Sequence, residues 1–215
     1  LTNGFKGSGV QKFKEVYQSP ILRRNRPDGR NRRNRPDPMS KPKEPDPVKL
    51  LVSVIAADRG LMAETIGRLA RHFGEPDYVS EVLPFDYTDY YAAEMGGALL
   101  RRFVSFERLI RPDELPAVKL CTNGLEEEFR EGGARRVNID PGYVARQHFI
   151  LATGKGFSHR PYLGRGIYAD LTLEYRKETY RPFEWTYPDY RAERTIRMLN
   201  GLRRRYRMQL KQVTG

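Results

Sequence analysis

The stretch that decides the fold is Arg135–Arg176. It reads R-R-V-N-I-D-P-G-Y-V over 135–144 and L-A-T-G-K-G-F-S-H-R-P-Y-L-G-R-G-I-Y-A-D-L-T-L-E-Y-R over 151–176. Val137 and Ile139 alternate with Arg136, Asn138 and Asp140, which is the period of two expected of a strand. Asp140-Pro141 then predicts the end of that strand and a short helix to about Ala152, with Asp as N-cap and Pro at the first helical position. Gly142 and the run Phe149-Ile150-Leu151 keep a second strand open as the rival. Gly154, Gly156 and Pro161 make Thr153–Pro161 a loop. From Ile167 the alternation resumes: Ile167, Ala169, Leu171, Leu173 and Tyr175 share one face, and Tyr168, Asp170, Thr172, Glu174 and Arg176 the other. That is a strand with one face buried and one facing solvent or ligand.

Outward from this stretch the rest of the chain falls into elements. Val48–Ala57 is a continuous apolar run with β-branched residues, the pattern of a buried central strand. Asp58 caps a helix carrying Met62, Ile66, Leu69 and Phe73 at helical spacing, and Gly74 ends it. Tyr78–Phe85 reads as a strand. Asp86, Asp89 and Glu94 lie in the loop beyond it. Phe103–Ile110 fits another strand, with Arg101 and Arg102 at its entry. Pro112-Asp113-Glu114 opens a helix whose buried face is Val118, Cys121, Leu125 and Phe129. Tyr180–Tyr187 returns on the Ile167 strand as a hairpin, with Trp185 packed. Pro188-Asp189 starts a last helix with the stripe Ile196, Leu199, Leu202, Tyr206 and Leu210. The expected fold is a single α+β domain: a mixed, mostly antiparallel β-sheet with helices packed on one main face.

Composition narrows the function classes. The chain has 215 residues with 39 Lys/Arg and 27 Asp/Glu, a formal charge of +12, and one Cys. One Cys excludes an internal disulfide framework and a multi-Cys metal site. No apolar run reaches bilayer-spanning length and no apolar signal segment opens the chain, so a soluble cytoplasmic protein with no membrane partner is expected. Residues 1–38 hold ten Lys/Arg against three Asp/Glu and repeat N-R-P-D at 25–28 and 34–37. They read as a disordered basic extension, with the domain over 39–215 starting near Met39; a nucleic-acid-binding arm is the alternative.

Several residues carry candidate chemistry. Asn138, Asp140 and His159 are the catalytic candidates, at a strand end and in the adjoining loop. Arg102, Lys155 and Arg160 are the phosphate-binding candidates, because guanidinium and ammonium groups pair with phosphate oxygens and Gly154-Lys155-Gly156 lets backbone amides approach. Asp86 and Asp89 are the candidate ligands for a divalent metal such as Mg²⁺, which takes oxygen donors. Each has a bland use too: Asp140 as a cap, His159 and Arg160 as loop residues, the acids as turn residues. Two functions follow. One is a pocket for a phosphate-bearing, nucleotide-like small molecule, with Asn138, Asp140, His159 and Arg160 lining one cleft and catalysis at a divalent metal as an option. The other is a non-catalytic RNA- or nucleotide-binding protein using Tyr90, Tyr91, Tyr187, Tyr190 and the basic end of the last helix (Arg203, Arg204, Arg205, Arg207, Lys211).

The motifs P-F-D-Y-T-D-Y-Y (84–91), R-R-F-V-S-F-E-R-L-I (101–110), T-N-G-L-E-E-E-F (122–129), V-N-I-D-P-G-Y (137–143), H-R-P-Y-L-G-R-G-I-Y-A (159–169) and W-T-Y-P-D-Y-R (185–191) together resemble one prokaryotic family. It is domain-of-unknown-function family 4416, some of whose members carry a loose GTP-binding label. The resemblance covers Pro47 to about Leu210 and implies a family without an assigned activity. The chain contains no G-x-x-x-x-G-K-[ST], since Gly154-Lys155 is followed by Gly156, so no phosphate-loop motif accompanies that label.

Overall fold

A computed structural model describes residues 41–88 and 90–214. The expectation for residues 1–38, and the metal-ligand role of Asp89, lie outside the described residues.

The sheet is built on β1 (Val48–Ala56), every residue of which is buried. Leu50, Val52 and Val54 join one apolar cluster and Leu51 joins another, so both faces of the strand are covered. This is why the run is continuously apolar rather than alternating. β4 (Leu99–Ile110) and β5 (Val137–Val144) flank it, both antiparallel. β2 (Pro76–Val79) and β3 (Leu83–Phe85) pair with β4. The single strand expected over Tyr78–Phe85 is therefore two short ones. On the other side follow β6 (His148–Thr153), β8 (Ile167–Arg176), and on β8 both β7 (Tyr162–Gly164) and β9 (Thr179–Pro182). Every described pairing is antiparallel.

Helices cover both faces rather than one. α1 (Arg59–Phe73) and α3 (Leu115–Glu128) bring Met62, Leu69, Leu115, Val118 and Leu125 to the first cluster. α5 (Glu193–Thr214) brings Leu199, Leu202, Tyr206 and Leu210 to the second. α1 starts where the sequence places it, with Asp58 Oδ1 accepting the Leu61 amide at 2.8 Å. The short helices α2 (Ala92–Met95) and α4 (Pro188–Arg191) border the ends of β4 and α5.

Two expectations in the deciding stretch are corrected. Asp140-Pro141 does not end a strand and cap a helix; both lie inside β5, and the chain turns into β6 instead. Nor does β8 keep one apolar face throughout. Phe149 pairs with Leu173 and Ile150 with Leu171, so Thr172 is an extra residue that shifts the register. Such a bulge reverses the alternation beyond it. Ile167 and Ala169 sit on one side of the sheet, and Leu173 sits on the other, with Phe149.

Candidate functional site

The sheet divides between β5 and β6. β5 stays on β1 along its whole length, yet it pairs with β6 only at Gly142, Tyr143 and Val144. β6 runs on to Thr153 on β8. Pro141 gives a reason for the parting. Backbone groups in an antiparallel strand alternate sides, and Ile139 turns its amide and carbonyl away from β1, to side chains of α3. Pro141 shares that parity, so its nitrogen faces β6 and has no hydrogen to donate.

α3 satisfies what the parting leaves unpaired. Glu126 Oε1 accepts the Ile139 amide at 2.5 Å. Lys119 Nζ donates to the Ile139 carbonyl at 2.9 Å and lies 3.4 Å from Asp140 Oδ1. Buried backbone polar groups need such partners. Along β5 a polar row continues: Arg135 Nη1 donates to Asn138 Oδ1 at 3.0 Å, and Asn138 Nδ2 donates to Asp140 Oδ2 at 2.6 Å. Glu94 anchors the row, accepting from Arg135 Nη2 at 2.7 Å.

A cavity of about 630 Å³ occupies this gap, a size usual for small-molecule sites. Lys119, Asn123 and Glu126 of α3 and Asn138 and Asp140 of β5 form one wall. Arg101 of β4 and Asp189 and Tyr190 of α4 also line it. Arg101 is buried, ion-paired to Asp189, and donates through Nε to Ser53 Oγ at 2.8 Å. Phe85, Tyr87, Tyr90, Tyr91 and Tyr187 give the cavity an aromatic border, and Lys155 comes in from the loop after β6. Burial raises the Glu126 carboxyl above the ordinary range, Lys119 only partly opposing it. Burial likewise raises the Tyr91 and Tyr190 hydroxyls, so both stay protonated at neutral pH.

A family model described as a domain of unknown function (DUF4416) matches residues 46–206, a span that contains every residue of the cavity wall. The chain belongs to the DUF4416 family. No curated protein and no solved structure matches it. Among the described residues of this DUF4416 chain, no helix is long and apolar enough to cross a membrane.

Of the residues singled out from sequence, Asn138, Asp140 and Lys155 line the DUF4416 cavity, together with Tyr90, Tyr91, Tyr187 and Tyr190. Arg160 stands behind it and braces it. Its Nε donates to Asp170 Oδ2 at 2.9 Å, its Nη1 to the Lys155 carbonyl at 3.2 Å, and its Nη2 to the Tyr187 hydroxyl at 3.0 Å. His159 is farther out, stacked on Trp185 at 4.8 Å with Nε2 3.8 Å from Asp170 Oδ2. Arg102 lies on the face of β4 that carries Val104 and Phe106, and its neighbour Arg101 takes the cavity wall. Asp86 is exposed beyond β3. Among the described residues no group of three or more His, Cys, Asp or Glu could hold a metal.

Sequence reading missed Arg101, Lys119, Glu126, Arg135 and Asp170. A signal existed for the α3 residues: Lys119, Asn123 and Glu126 recur at i, i+4 and i+7, a polar row along one side of the helix that buries Leu115, Val118 and Leu125. On α5 the basic run is uneven. Arg203 is buried, donating to the Arg146 carbonyl at 2.8 Å with its guanidinium over Tyr175, while Arg204, Arg205 and Arg207 are exposed.

Proposed function

We propose that the cavity is a binding pocket for a small phosphate-bearing, nucleotide-like molecule, with Lys155 as its phosphate-facing cation. The observation that carries this reading is the state of Lys155. Arg101, Lys119 and Arg135, which also line the cavity, are each matched to a carboxylate, Asp189, Asp140 and Glu94 respectively. Lys155 has none among the described residues: its Nζ meets only the Tyr90 hydroxyl, at 3.3 Å, and the Tyr90 ring. It projects from a glycine-flanked loop that Arg160 holds by the Lys155 carbonyl. A cation kept in position and left without an anion is a phosphate-binding feature, and the aromatic border suits a planar ring. Asn138 and Asp140 supply the polar contacts between these two ends.

Ligand binding to the native state stabilises it by about 2.7 kcal/mol at a hundred times Kd. Thermal unfolding of the full chain against a panel of nucleotides at millimolar concentration should therefore show a rise of several degrees in Tm. Lys155→Ala should abolish that rise and leave the ligand-free Tm unchanged, because Lys155 is exposed. A panel without any stabilising member, or a rise that survives Lys155→Ala, would refute the reading.

A further inference from the structure

β8 has a second edge, away from β6, and the chain closes it with rings. β7 and β9 pair at its two ends. Between them the Pro161 carbonyl accepts the Ala169 amide at 2.8 Å, Trp185 Nε1 donates to the Leu171 carbonyl at 2.8 Å, and Thr186 Oγ1 donates to the Thr172 carbonyl at 2.6 Å. The backbone of this edge is in use, so strand addition to β8 is closed to a partner. What the edge presents instead is side chains. Among the described residues nine large hydrophobic side chains are exposed, and five of them, Phe157, Tyr162, Leu163, Trp185 and Tyr187, belong to β7 and the segments that close this edge. So local a concentration marks an interaction surface.

The rings are held before any partner arrives. His159 and Phe183 stack on Trp185, each at 4.8 Å, and Phe157 meets His159 edge-on at 5.2 Å. The Phe157 carbonyl accepts the Arg160 amide at 3.0 Å, which closes a turn. The Tyr162 hydroxyl accepts the Gly166 amide at 3.1 Å and so keeps its ring beside the turn that carries Arg165. Phe157 and Tyr162 are the most exposed rings of the group, at 68% and 61%.

Charge decides the kind of partner. Residues 154–166 hold Lys155, Arg160 and Arg165 and no carboxylate, and residues 183–187 hold one, Glu184. Arg165 is exposed and has no carboxylate partner among the described residues. Open ring faces beside cations suit a polyanion that also carries flat rings. A single strand of nucleic acid is such a partner, its bases stacking on aromatic faces and its phosphates meeting the cations. A duplex keeps its base faces stacked on one another and cannot use the rings. We propose that this outer edge of the sheet binds single-stranded nucleic acid, with bases on Phe157 and Tyr162 and a phosphate at Arg165. The proposal goes beyond the pocket reading and does not depend on it.

Trp185 is the single tryptophan of the chain, so its fluorescence reports on this surface. The full chain is titrated with labelled oligo(U) and oligo(dT) of about ten nucleotides, within the usual site size of single-strand binders, and with a duplex of the same length. Fluorescence anisotropy reads binding. Single strands should quench Trp185 and bind about tenfold or more tighter than the duplex, and the tighter of the two names the ligand as RNA or DNA. Phe157→Ala should weaken that binding by about tenfold and leave Tm unchanged, because the ring is exposed. Arg165→Gly should weaken it and flatten its salt dependence. Glycine suits the φ of 57° at that position, so the fold is kept. A duplex bound as tightly as the single strands, no binding at low salt, or binding indifferent to Phe157→Ala overturns the proposal. So does a dimer in sedimentation that Phe157→Ala dissociates, which would give the surface to a second copy of the chain. The nucleotide-induced rise in Tm that tests the pocket should survive Phe157→Ala, so the two readings fail separately.

Discussion

Glu126 shows how a single side chain can serve the fold and the cavity at once. One of its oxygens accepts the Ile139 amide that β6 leaves unpaired, and burial raises its pKa. A carboxyl whose folded pKa lies above its unfolded one binds its proton more tightly when folded. Its contribution to stability is complete below the unfolded value and is lost as pH rises through the folded value. Glu126→Gln keeps an acceptor for Ile139 and stays neutral at every pH. The variant should match the parent in chemical denaturation at acid pH and be more stable at neutral pH. Equal midpoints at both pH values would mean that Lys119 and Arg135 fully offset the burial of the charge. Arg101 illustrates the limit of reading single residues. Arg101 and Arg102 are adjacent arginines with the same chemistry, and only the phase of β4 separates them. Helical and strand periodicities compete over Leu99–Ile110, so that phase is not legible until the pairing of Arg101 with Ile55 is known.

At the scale of elements, the parting of β5 from β6 makes the cavity, and Gly142 is where the strands still touch. A Cβ on Gly142 would overlap the Ile150 carbonyl oxygen, a backbone atom with no rotamer to relieve it, and would crowd Leu151 Cδ2 at 3.0 Å. Gly142→Ala should therefore destabilise the domain by at least the upper end of the usual 1–3 kcal/mol for overpacking, read as a lowered urea midpoint. Gly154→Ala, where a Cβ would meet nothing within 4 Å, is the control and should be near neutral. Elements that follow one rule were legible: β1 from its unbroken apolar run and α1 from Asp58 and Gly74; the hairpin expected from Tyr180–Tyr187 is there, but its strand β9 is only Thr179–Pro182. β5 and β6 were not legible, because Asp-Pro-Gly in a strand obeys tertiary demands. The proline stops a ladder and the glycine admits a neighbouring backbone, while local propensity assigns both to a cap and a turn. The Thr172 bulge is equally silent, since an inserted residue leaves the composition of the strand unchanged.

For the whole molecule the question is what joins α5 to the sheet, since that helix closes the second apolar cluster and its α4 lead-in carries Asp189 and Tyr190 into the cavity. Lys49 on β1 lies at the centre of the answer. It is fully buried, ion-paired to Asp77 of β2, and donates to the Phe106 carbonyl of β4 at 2.6 Å and to Gln209 Oε1 of α5 at 2.8 Å. One ammonium thus ties three strands and the last helix. Tyr206 adds a bond to the Pro47 carbonyl at 2.9 Å. Removing one partner of a buried ion pair leaves a charge without compensation and costs about 3–5 kcal/mol, whereas replacing both can be nearly neutral. Asp77→Asn should therefore lower stability by about 3 kcal/mol, or about 6–12 °C in Tm for a domain of this size. The double variant Lys49→Met with Asp77→Asn should recover most of that loss. The recovery separates the ion pair from the Ser105 hydroxyl, which also bonds to Asp77. If the double variant is no more stable than Asp77→Asn alone, the Ser105 contact and not the buried ammonium holds β2 to the sheet.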